Sequence, residues 1–309
     1  SSPSCAYSAV SGYQTAIFCH SLLPIKAFFL IMPVNQASVV QVVSPTRRVA
    51  DAEAASHGIM NVWSGNLYDQ VDALSRIVAD YPIVALDTEF PGMVTLPPEE
   101  RKKRWTYDTV RLNVENSQLI QAGLSFFSEA GEQPEGMNTW QFNFKFVLGV
   151  NPILDESYDL LTEAGLDFNR LARDGIDRFC FAERMLISGV LLNPDVKWLT
   201  FQGGFDYAYL MRIITNTDLP RSRDEFIKEV KYYFPVTYDV REMVKVCGMG
   251  GGLQATANTL EIERKGTAHQ AGSDSKVTGM CFFKLREIFK DMSIDLSAME
   301  NVFCGLGDY

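Results

Sequence analysis

Five side chains of this sequence have the types and spacing of an acidic hydrolytic site. Asp87 and Glu89 stand on either side of Thr88 in "VALDTEF", directly after the apolar run from Ile83 to Leu86. In an extended strand, residues i and i+2 share a face, so both carboxylates project together while Thr88 points away. An ionised carboxylate among apolar neighbours is costly unless it is paired, hydrogen-bonded or bound to a cation. Two carboxylates side by side also raise each other's pKa. A hard divalent ion such as Mg²⁺ takes oxygen ligands and commonly uses a few carboxylates plus water and substrate phosphate, which answers both difficulties.

The spacing alone is weak, because Asp51 and Glu53 repeat it in "ADAEAAS", an Ala-rich polar stretch where both side chains can simply be solvated. The apolar run before Asp87 and "FPG" after it set the first pair apart. Asp206 lies in "WLTFQGGFDYAYL", where a short strand passes through Gly203 and Gly204 into a helix. Such an Asp serves either as a cap or dipole partner, or as a carboxylate delivered to the sheet edge by glycines that permit close approach. In "HQAGSDS", His269 precedes Asp274 at the mouth of a long apolar helix. Ser273 or Asp274 would suit an ordinary cap. Gly272 keeps the preceding segment a loop, so His269 is free to lean over whatever Asp274 binds and to accept a proton at neutral pH.

Recognisable elements carry these residues. Leu67, Val71, Leu74, Ile77 and Val78 recur at helical spacing, and Ile83 to Phe90 then reads as a central strand. Leu119 to Phe127 is a second strand. "TWQFNFKF" alternates Trp140, Phe142, Phe144 and Phe146 with polar residues, the pattern of a half-buried third. Helices are expected at Phe179 to Ser188, from Asp206, and at Asp224 to Tyr233, Val240 to Val246, Leu253 to Leu260 and Ser273 to Phe289, with "KWLTF" a short strand among them. Strands followed by alternating strand and helix predict an α/β fold, a mixed central sheet flanked by helices. Residues 1–57 show no sustained period and read as an N-terminal extension; residues 58–309 form the main domain.

At 309 residues and 47% hydrophobic, the chain can bury a substantial core. Its formal charge of -10 provides no broad basic field, so a polyanionic substrate must be held locally or through bound cations. The one dense basic run, Arg101 to Arg104, reads as solvated loop or as a phosphate-tracking patch. Six cysteines without a C-x-x-C pair read as free thiols, and three histidines argue against a histidine-rich zinc site. His20, Pro24, Lys26 and Pro33 interrupt the longest apolar stretch, which makes it a poor membrane span, and no Lys or Arg precedes it as a signal peptide would require. Met32 is an expected natural start.

Taken in order, "DTEF", "GGFD" and His-x4-Asp resemble the Asp-Glu-Asp-Asp exonuclease superfamily, in its subclass with histidine in the last motif. "ALDTEFPGMV", "TWQFNFKF", "GIDRFCFAERMLISGV", "VKWLTFQGGFDYAYL", "FPVTYDV", "GGLQ" and "HQAGSDSKVTGMCFFKLRE" together resemble the Caf/Pop-type deadenylase subunit of the Ccr-Not complex, over about residues 59–309. The resemblance implies an RNase H-like fold and a 3'-to-5' exoribonuclease that removes AMP from poly(A) RNA with two divalent ions, Mg²⁺ or Mn²⁺. It implies that Asp87 bridges both ions, Glu89 and Asp274 complete the first shell, Asp206 holds the second ion and His269 is the general base. It also implies a Not-type scaffold partner, a second deadenylase, anti-proliferative adaptor proteins, no membrane association, and residence in cytoplasm and nucleus. The sequence departs from the family where F-H-S-G-Y-D is Phe201 to Asp206 with Gln202 and Gly203, and where a basic residue before "GGLQ" is Gly250. A general 3' exonuclease and a non-catalytic protein-binding scaffold are the competing readings.

Overall fold

Ile83, Val84, Ala85 and Leu86 are all buried, which a strand achieves only in the middle of a sheet covered on both faces. The computed structural model describes residues 45–96, 99 and 106–307. These residues belong to the second of the chain's two units, Val43–Tyr309. In chain order it forms α1 (Pro45–Ser56), β1 (Ile59–Val62), α2 (Leu67–Ile77), β2 (Ile83–Glu89), α3 (Tyr107–Glu115), β3 (Gln121–Phe127), β4 (Thr139–Asn143), α4 (Asp155–Glu163), α5 (Phe168–Asp174), α6 (Arg178–Leu186), β5 (Lys197–Thr200), α7 (Gly204–Thr215), α8 (Arg223–Tyr233), β6 (Val236–Asp239), α9 (Val240–Val246), α10 (Leu253–Thr259) and α11 (Ala271–Asp291).

The strands lie in the order β1-β4-β3-β2-β5-β6. β3 runs antiparallel to β2 and β4, whereas β2, β5 and β6 are mutually parallel and β1 is parallel to β4. This is the expected mixed sheet in RNase H-like topology, with β1 added at one edge. Val84 and Leu86 belong to the core shared with Phe205 and Tyr209 of α7. Ile83 and Ala85 belong to the opposite core, with Val277, Cys281 and Leu285 of α11. The period of two therefore turns Asp87 and Glu89 toward the α11 face and Thr88 toward the α7 face.

α11 crosses β2 and β3 at close range. A Cβ on Gly123 would stand 2.0 Å from the carbonyl oxygen of Ala271, so the start of the helix rests directly on the β3 backbone.

Two expectations change. β4 is buried on both faces rather than half-buried, because its polar alternates Gln141 and Asn143 are covered. α1 packs on β1. Asp51 on that helix is not left to solvent: both its oxygens accept from Arg170, at 3.0 and 2.9 Å, while the Arg170 guanidinium lies 3.8 Å from the Trp63 ring centroid. Glu53 is exposed, as expected. The basic run from Arg101 to Arg104 lies outside the described residues, as do Cys5 and Cys19. The remaining cysteines, Cys180, Cys247, Cys281 and Cys304, are free thiols. No helix among the described residues is long and apolar enough to cross a membrane.

Candidate active site

Three separate stretches of chain meet at the end of β2. The strand delivers Asp87 and Glu89 to the α11 face. Asp206 enters from the first turn of α7 and remains only 8% exposed. The Thr88 hydroxyl donates to Asp206 Oδ1 at 2.6 Å, so the residue that points away from the paired carboxylates is the one that ties Asp206 to the same strand end.

The turn before Asp206 is held from β6. Asp239 accepts from the backbone N–H groups of Gln202 at 2.9 Å and Gly203 at 3.0 Å, and also from those of Arg241 and Cys304. Gln202 adopts a φ of 64°, and the absent side chain of Gly204 admits the Gly305 carbonyl, which an added Cβ would meet at 2.7 Å. The expected close approach is therefore present.

α11 begins at Ala271, so Asp274 sits inside its first turn rather than at the cap. Its Oδ2 accepts from the backbone N–H of His269 at 3.1 Å, and Oδ1 accepts from Arg264 Nη1. The same guanidinium nitrogen donates to Ser273 Oγ at 3.0 Å, and Arg264 Nε donates to Gln254 Oε1 at 2.7 Å. His269 has a φ of 60° and an exposed side chain.

Burial and mutual repulsion disfavour the charged form of these carboxylates. Burial, then the Asp274, Asp206 and Glu89 carboxylates, hold Asp87 well above the ordinary carboxylate range, with Arg264 pulling the other way. Glu89 is pushed up to about 8 by burial and by Asp274 and Asp206. Asp206 rises to about 7, mainly through burial, although the Thr88 bond opposes the rise. Asp239 rises to about 6 through burial despite its backbone donors. Glu89, His269 and Asp274 each offer a ligand atom within 4.8 Å of the others. Carboxylates pressed together out of solvent, with an imidazole at the rim, are the donor set of a hard divalent ion, and the residues present fit one.

Residues 62–185 match the family described as CAF1 family ribonuclease. Over 252 residues the chain is 41% identical to the poly(A) ribonuclease pop2 of Schizosaccharomyces pombe, spanning 81% of this chain and 75% of that protein. This chain belongs to the CAF1 ribonuclease family. The solved structure of S. pombe Pop2p in its Mg²⁺- and Mn²⁺-bound form superposes with a TM-score of 0.76 at 40% identity, covering 81% of this chain and all of that one. CAF1 co-crystallised with the yeast NOT1 MIF4G domain matches with a TM-score of 0.69 at 28% identity, over 79% of this chain and 96% of that one.

In this CAF1-family ribonuclease, Asp87, Glu89, Asp206, His269 and Asp274 all gather at the end of β2. Three contributors were not singled out from the sequence: Thr88, Asp239 and Arg264. Asp239 carried a usable signal, since "TYD" ends a short strand and opens a helix much as the stretch before Asp206 does. Arg264 gave none, being one basic residue in an irregular loop.

Proposed function

We propose that this ribonuclease is a 3'-to-5' poly(A)-specific exoribonuclease that releases AMP from messenger RNA tails at the carboxylate cluster, using two divalent ions, Mg²⁺ or Mn²⁺. The observation that carries the reading is the convergence of Asp87, Glu89, Asp206 and Asp274 from three segments into one electrostatically unfavourable group. Support for the substrate and the ions comes from the S. pombe relative, a poly(A) ribonuclease whose homologous structure holds Mg²⁺ and Mn²⁺.

In this reading Asp87 would serve both ions, Glu89 and Asp274 would hold the first, and Asp206 would hold the second. When bound, the ions supply Lewis-acid activation of water and charge stabilisation at the leaving 3' oxygen. His269, exposed at the rim and within reach of Glu89 and Asp274, accepts the proton of the attacking water. Thr88 and Asp239 orient Asp206 from behind, and Arg264 sets the rotamer of Asp274. An acidic protein thus handles a polyanion because positive potential is concentrated at the site rather than spread over the surface.

The same reading places the chain on a Not-type scaffold beside a second deadenylase, open to anti-proliferative adaptors, in cytoplasm and nucleus. The yeast CAF1 complex with the NOT1 MIF4G domain supports the scaffold. The deciding experiment is digestion of a labelled RNA with a 3' oligo(A) tail, beside poly(U) and oligo-dT, in Mg²⁺, Mn²⁺ or chelator. Stepwise, metal-dependent loss of AMP that pauses at the first non-A nucleotide is expected. Equal decay of all three polymers removes the poly(A) assignment, and no metal-dependent product removes the nuclease assignment.

A further inference from the structure

α11 begins without a cap of its own. Gln270, the residue before it, makes no side-chain cap bond. Yet the first N–H groups of a helix have no partner within it and must find one elsewhere when buried. Two glutamines on the neighbouring strands supply it: Gln121 Oε1 of β3 accepts from Ala271 N at 2.8 Å, and Gln141 Oε1 of β4 accepts from Gly272 N at 2.8 Å.

The other ends of the same two amides converge on one atom. Gln121 Nε2 donates to Gln270 Oε1 at 3.1 Å and Gln141 Nε2 donates to it at 2.9 Å, while Gln270 Nε2 donates to the Ala164 carbonyl at 2.9 Å. Asn143 and Asn61 take the remaining donors, Asn143 Oδ1 from Gln121 at 2.8 Å and Asn61 Oδ1 from Gln141 at 2.9 Å. Residues 270, 271 and 272 are thereby pinned by side chain and backbone at once. His269 stands immediately before the pinned segment in a left-handed conformation, and Asp274 stands two residues after it, joined to His269 N.

We infer that Gln121, Gln141 and Gln270 are positioning residues for the reaction, an amide clamp that sets His269 and Asp274 relative to the carboxylates of β2. Neutral amides suit the place. Gln121 and Gln141 each accept at the helix start and donate to Gln270, which no carboxylate can do, and Gln121 is paired directly across from Glu89, where another anion would add repulsion. The inference rests on the proposed roles of His269 and Asp274.

The test uses the full chain with Gln270→Met and Gln270→Glu. Methionine keeps volume and removes every bond of the clamp at 270; glutamate keeps the oxygen that accepts from Gln121 and Gln141. Gln270 is only half-buried on a loop, so both variants are expected to fold, checked by thermal melting. For Gln270→Met on oligo(A) at saturating Mg²⁺, kcat is expected to fall on the order of 10²-fold, the scale of a 1 Å misplacement. KM is expected within about twofold of wild type, because contacts to the rest of the RNA are untouched. The pH dependence of kcat should flatten, and Gln270→Glu should restore most of the rate and the profile. A Gln270→Met enzyme with wild-type kcat and pH profile overturns the clamp, as does equal loss in both variants. Asp87→Asn run alongside separates the two ideas: turnover retained there brings down the site reading, and the clamp with it.

Discussion

Replacing Thr88 by valine removes one oxygen at nearly constant shape. Thr88 is 6% exposed, and its hydroxyl donates at 2.6 Å to a carboxylate that is itself buried. A hydrogen bond to a charged acceptor contributes about 1.5–3 kcal/mol. At about 1.4 kcal/mol per tenfold, that corresponds to roughly 10- to 150-fold if the whole loss falls on holding Asp206 in place for a cation. The backbone N–H groups of Asp206 and Thr88 also favour the charged form of this carboxylate, so the lower part of the range is expected. Removing groups that orient metal ligands typically weakens metal binding by about 10- to 100-fold. The assay is calorimetric titration of Mn²⁺ into chelator-treated protein, with a thermal melt confirming the fold. A weaker second binding step and a higher Mn²⁺ requirement for turnover are expected, with kcat partly recovered at high metal. Wild-type Mn²⁺ affinity in Thr88→Val would refute the reasoning, because Asp206 would then either not hold a cation or not depend on Thr88.

Asp87→Asn should abolish AMP release while leaving the melting temperature near wild type, since it removes charge at constant volume from a carboxylate that burial and three neighbouring carboxylates hold well above its ordinary range; residual turnover at wild-type rate would contradict the site. His269→Ala should lower kcat by about 10²- to 10⁴-fold; an unchanged rate at every pH would end the base assignment. Gly123→Ala forces a Cβ against the Ala271 backbone, with contacts of 2.0 and 2.2 Å, so α11 must move; overpacking of this kind costs about 1–3 kcal/mol, read by denaturant titration together with a loss of activity. Metal-free protein should lose stability as pH rises: folded values of about 8 for Glu89 and about 7 for Asp206 lie above the unfolded carboxylate range near 4. Their favourable contribution is complete below about pH 4 and is lost through about pH 7 to 8. Melts in chelator should therefore fall across that window, and Mg²⁺ should raise them most at its alkaline end; a flat pH profile in chelator would contradict the crowding of these carboxylates.

Local pattern revealed those parts of the molecule that depend on near neighbours in the chain. The strand expected over Ile83 to Phe90 is Ile83–Glu89, and the helix expected over Val240 to Val246 has those limits. Short or polar elements were less legible: α1, α3, α4 and α5 lack a long apolar stripe, and β1 is only 4 residues long. The alternation over Trp140 to Phe146 identified a strand but misjudged its polar face, because Gln141 and Asn143 are polar for a reason that lies in α11 and β1.

Sequence by itself determined which residues are acidic, which of them share a strand face, and which stand at the start of a helix, because side-chain direction follows from the period of the local backbone. It could not determine what stands opposite. Thr88 meets Asp206 across 118 positions, Asp239 holds the turn at Gly203 across 36, and Gln121 caps Ala271 across 150. Those partners were chosen by the order and register of the sheet and by the seating of α11 on Gly123. The same side chains, threonine or glutamine, would be ordinary strand residues anywhere the sheet did not carry them to a buried carboxylate or to the open end of a helix.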